Sequence, residues 1–89
     1  MNFPFREDPN TATILCKHIA RGEQPILYVS HDEDDGMWQF LCNEEHTIED
    51  LVLVTLKQAY ELDPSIGELK DLPLRKDAWR EHPQMPWRS

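Results

Sequence analysis

The sequence predicts a small α+β domain: an antiparallel sheet of four to five strands, with one or two short helices packed on one face. Three observations lead there. The stretch Asp32 to Gly36 is a short polar link carrying a glycine, set between two runs of alternating apolar residues, which is the pattern of a β-hairpin. Leu51 to Leu56 is a continuous apolar and β-branched run with no polar face, suited to a strand covered on both sides. Beyond the six residues that follow it, Asp63-Pro64-Ser65 offers an N-cap and a proline at a first helical position.

Taken in order, residues 1–10 hold two prolines and several turn formers and read as an extended arm, with Phe3 and Phe5 alternating toward the body. Thr11 to Ala20 mixes β-branched residues with helix formers and is expected to be a strand ending near Arg21-Gly22. Ile26 to His31 and Met37 to Cys42 are the hairpin strands. Trp38 and Phe40, two apart, project from one face into the core. The run 51–55 is a further strand, 56–62 a helix, and 63–69 a second helical turn. Leu72-Pro73-Leu74 breaks the chain, Asp77 to Arg80 forms a last short strand, and 82–89 is a loose tail. A chain of 89 residues supports one core, so 1–89 is a single domain.

Charge narrows the function classes. The chain carries 17 acidic and 9 basic residues, a net −8. Between Arg21 and Lys57 there is no Lys or Arg, while Glu23, Asp32, Glu33, Asp34, Asp35, Glu44, Glu45, Glu49 and Asp50 are all acidic. Nucleic acid is excluded as a partner of that region, because such binding rests on Lys and Arg neutralising phosphate. A basic protein would be attracted to it. The expected binding residues are therefore Asp32, Glu33, Asp34, Asp35, Glu44 and Glu45. No apolar run suits a signal peptide or a membrane span, so a cytoplasmic protein is expected, with Cys16 and Cys42 reduced and at least partly buried. An edge strand of so small a sheet could pair with a second copy.

Three chemistries are testable by spacing. A calcium loop with Gly36 at its sixth position would need ligands at His31, Glu33, Asp35 and Cys42, and it fails at the first and last of these. Cys16-x-His18 and Cys42-x-x-x-His46 offer the two thiolates and two imidazoles of a closed zinc site, but there is no C-x-x-C knuckle, and the expectation is no metal and no cofactor. A thiol nucleophile is not indicated, since the acidic surroundings of Cys42 should raise its pKa.

The residues Asp35-Gly36-Met37-Trp38-Gln39-Phe40, the run 51–56, Asp63-Pro64-Ser65-Ile66 and the late Ala78-Trp79-Arg80 together resemble a group of small bacterial proteins of unknown function. Distant relatives with a similar hairpin are classed as immunity proteins of polymorphic toxin systems. Met37, inserted between Gly36 and Trp38, departs from their pattern. The resemblance brings no catalytic motif. The expected function is a non-enzymatic protein-binding module, immunity-like, using its acidic surface. The competing reading is a small metal-dependent or thiol-based enzyme built on Cys16, His18, Cys42 and His46.

Overall fold

The computed structural model describes residues 3–33, 36–44 and 46–89. Five strands form one mixed sheet: β1 (Ala12–Cys16), β2 (Tyr28–His31), β3 (Trp38–Leu41), β4 (Leu51–Thr55) and β5 (Asp77–Trp79), in the spatial order β4-β1-β3-β2-β5. The helices are α1 (Lys17–Ala20) and α2 (Leu56–Leu62), with 3-10 turns over Ile48–Asp50 and Pro64–Leu69. This is the expected α+β class. Among the described residues, no helix is long and apolar enough to cross a membrane.

The hairpin β2–β3 forms where its turn chemistry places it, with Val29 opposite Phe40 and His31 opposite Trp38. Asp32 N–H donates to Met37 O at 2.9 Å, and Gly36 adopts a φ of 71°, a conformation that glycine reaches without a Cβ clash. The helix α2 also starts and ends as read. Thr55 caps it, its hydroxyl accepting from Gln58 N–H while the Gln58 side chain accepts from Thr55 N–H.

The first strand is shorter than expected. It stops at Cys16, and Lys17–Ala20 coils into a helical turn closed by Gly22, whose N–H donates to Ile19 O at a φ of 75°. The strand-forming residues Thr11, Thr13 and Ile14 all precede this point. Ile19, the β-branched residue beyond it, is buried from the turn instead.

Most of the strand pairings are antiparallel, but β1 and β3 run parallel, with Ile14 beside Gln39 and Leu15 beside Phe40. The register aligns Leu15, Phe40, Val29 and Ala78 in one row across four strands, all fully buried. Leu56 and Ala59 of α2 and Ile66 of the second 3-10 turn join them in one core cluster, so the helices cover that face. The arm contributes as well: Phe5 is buried with its ring centroid 5.3 Å from that of Trp38, and Glu7 accepts from Trp38 Nε1 at 2.6 Å. On the opposite face the row Leu53, Ile14, Gln39, Ser30 and Asp77 is half-buried to exposed.

Candidate metal centre

The parallel pairing of β1 and β3 decides where the chemistry lies. Parallel neighbours finish at the same end of a sheet, so Cys16, the last residue of β1, and Cys42, the first beyond β3, arrive side by side. Their sulfurs are 3.6 Å apart, and both thiols are free and buried. The turn α1 then carries His18 back over Cys42, with Nδ1 at 3.7 Å from its Sγ. His46 Nε2 lies 3.3 Å from the same sulfur. The two imidazoles lie 5.5 Å apart between centroids. The ligand-bearing atoms of all four residues are within 4.8 Å of one another.

Those distances have a chemical meaning. With Zn–S near 2.3 Å and Zn–N near 2.0–2.1 Å, a tetrahedron has S···S edges of about 3.8 Å and S···N edges of about 3.5 Å. The observed 3.6, 3.7 and 3.3 Å fall on these edges within a few tenths of an ångström. Two soft thiolates with two imidazoles form a donor set that favours zinc over the oxygen-seeking calcium and magnesium.

Charged groups neighbour these four side chains. Lys17 Nζ pairs with Asp50 Oδ1 at 2.8 Å, tying α1 to the 3-10 turn that follows His46. That ammonium is the leading reason the Asp50 carboxyl is lowered to about 2, with the Thr47 N–H adding to it. Glu44 Oε2 stands 4.0 Å from His18 Nδ1. Burial pushes the Cys42 thiol above its ordinary pKa, against a lowering hydrogen bond from the Glu44 N–H. The direction matches the sequence expectation, but desolvation leads and the Glu44 charge adds only a small part. Cys42, Glu44 and His46 also line a groove of about 450 Å3 together with Leu27, Tyr28 and Leu41.

Of the acidic residues expected to bind a partner, the described ones lie at two ends of the hairpin. Asp34, Asp35 and Glu45 lie outside the described residues. Asp32 and Glu33 are exposed on the hairpin, and the Glu33 carboxylate accepts from Arg75 Nε. Glu44 is exposed at the other end of the hairpin strands, beside the Cys/His cluster. Of the calcium positions considered, His31 is turned inward instead, its Nδ1 bonded to Leu72 O at 2.8 Å and its ring stacked on Trp38.

One residue quoted in the late Ala78-Trp79-Arg80 motif has a structural role that the motif did not disclose. Arg80 is buried, donating to Ile26 O at 2.9 and 3.2 Å, to Pro83 O at 3.1 Å and to Asp63 Oδ2 at 2.7 Å, with Trp87 stacked 4.1 Å from its guanidinium. The tryptophan and arginine near the C-terminus therefore close the core. Trp79, by contrast, stays largely exposed.

The chain matches no known family model, no curated protein and no solved structure. The likeness to small bacterial proteins and to immunity proteins rests on the motif residues alone.

Proposed function

We propose that this chain is a non-enzymatic protein-binding module whose fold is completed by one zinc ion held by Cys16, His18, Cys42 and His46. The observation that carries the metal is the convergence of four ligand atoms within 4.8 Å, with the three separations from Cys42 Sγ close to tetrahedral edges. Four protein ligands leave no position for water or substrate, which favours a structural centre over a catalytic one. Cys42 and His46 flank Asn43, Glu44 and Glu45, so a bound ion would pin an acidic loop at both ends.

The net −8 and the cation-free stretch from 22 to 56 support a basic partner for such a module, in the manner of an inhibitor that presents acids to a toxin-like protein. Zinc supplies rigidity in this reading, and the carboxylates supply steering.

Two measurements test the two halves. Purified protein should carry zinc in one-to-one ratio by elemental analysis, and a chelator should lower its melting temperature by many degrees, since metal-binding energy is folding energy in a domain this small. Metal-free protein whose melting is indifferent to chelator contradicts the centre. For the surface, changing Asp32, Asp34 and Asp35 to Asn should slow association with a basic partner, most strongly at low salt. An unchanged on-rate moves the binding face elsewhere.

A further inference from the structure

We propose that the same centre is a redox switch: a peroxide joins Cys16 to Cys42 in a disulfide and expels the metal. This inference rests on the zinc reading above and adds to it a route by which the ion is lost.

The geometry favours that one product. The sulfurs are already 3.6 Å apart, so a disulfide of about 2.05 Å needs a closure of roughly 1.6 Å. They are the chain's two cysteines, which leaves one possible internal pairing. Their access differs in degree: both are buried, but Cys42 keeps 4 % of its surface and lines the groove of about 450 Å3, whereas Cys16 has none. Cys42 is therefore the sulfur that meets the oxidant, and Cys16 is the one that resolves it.

Written with hydrogen peroxide, the Cys42 thiolate attacks one peroxide oxygen, the O–O bond breaks, and hydroxide leaves to take up a proton as water. Cys42 is then a sulfenic acid. The Cys16 thiolate attacks the Cys42 sulfur, the S–S bond forms, and the second hydroxide leaves and is protonated. Two thiolates have given up two electrons, and one peroxide has become two waters. A disulfide sulfur is no longer a thiolate ligand, and two imidazoles alone hold zinc weakly, so the ion departs. Reduction by a dithiol in the presence of zinc reverses the sequence.

The experiment uses the full chain loaded with one zinc and treated with stoichiometric hydrogen peroxide at neutral pH. Released zinc is followed with a chromogenic chelator, and the product by intact mass and peptide mapping. The expected result is one zinc released for each molecule that loses two hydrogens, a mapped Cys16–Cys42 link, and recovery on adding dithiothreitol and zinc. Zinc retained under peroxide, cysteines carried on to sulfinic acid without a link, or disulfides between chains would each overturn the switch. A chain that takes up no zinc at the loading step fails the metal reading itself, a different and earlier failure. Ser in place of Cys16 (C16S) gives the second check, because its Cys42 should stop at the sulfenic acid, trappable by a dimedone probe. An internal link is impossible in that variant, so C16S that gives no dimedone adduct under the same peroxide treatment would also contradict the mechanism.

Discussion

Arg80 shows how much one side chain organises here. Its guanidinium meets a backbone carbonyl on each of two segments, Ile26 and Pro83, as well as the Asp63 carboxylate, and it lies under Trp87. Truncation to Ala would leave Ile26 O and Asp63 without these donors and open a space in the core. The expected loss is about 2–4 kcal/mol in urea unfolding, a large share of the stability of a domain this size. Two titrating residues bound the pH range. Asp50 is lowered to about 2 from 3.8, so its pairing stabilises the fold above the unfolded value and is lost as pH falls from about 4 toward 2. Tyr28 is raised to about 12, first by burial and then by its bond to Asp77, so its contribution is complete below pH 10 and disappears as pH climbs from 10 toward 12. Melting temperatures across both windows should show the two limbs, and Asp50→Asn and Tyr28→Phe should each reduce one of them. Arg80 stood in a sequence motif, but its buried role was not legible because it needs three segments brought together. The cysteines and histidines were legible as a ligand set, yet their convergence was not.

The reason for that gap lies at the level of elements. Spacing along the chain identifies a zinc site when two ligands share one knuckle, but here each cysteine ends a different strand. What joins them is the parallel alignment of β1 with β3, and nothing local in either strand encodes the direction of a neighbour. Local signals did specify the hairpin and α2, since a turn glycine and a capping box act within a few residues. They failed at Lys17–Ala20, where Gly22 closes a helical turn against the β-branched propensity of Ile19. The exposed strand β4 presents a further case. Leu56 N–H donates to Thr11 O, so along the antiparallel ladder Val54 and Val52 face β1, while Leu51, Leu53 and Thr55 turn their backbone groups outward. Leu51 N–H is already taken by Ile48 O, and Thr55 N–H by Gln58 Oε1. Of these three outward donors, that leaves Leu53 for a second copy, although its side chain is well exposed. Sedimentation should accordingly find a monomer at micromolar concentration, and Gln58→Ala, which frees a second donor, should raise the tendency to self-associate.

Across the whole molecule, the fold brings long-range segments onto one core. The arm lies so close to the second 3-10 turn that a Cβ on Gly67 would sit 2.9 Å from Pro4 Cγ and 3.0 Å from Tyr60 Cε1. Gly67→Ala should displace the arm and cost about 1–3 kcal/mol, visible as a lowered urea midpoint. The arm, tail and Cys/His cluster lie at different borders of a sheet whose centre is filled by Leu15, Phe40 and Val29. A core of this size leaves a modest margin, which is the setting in which small domains take on a metal. The central claim is that Cys16, His18, Cys42 and His46 surround one tetrahedral ion. Titration of reduced, metal-free protein with cobalt(II), read by visible absorption, tests it most directly. The account predicts intense tetrahedral d–d bands with thiolate charge transfer, saturating at one cobalt per chain, displaced by zinc, and lost in Cys42→Ser. Weak octahedral absorption that rises without saturation, or bands unchanged in Cys42→Ser, would contradict it.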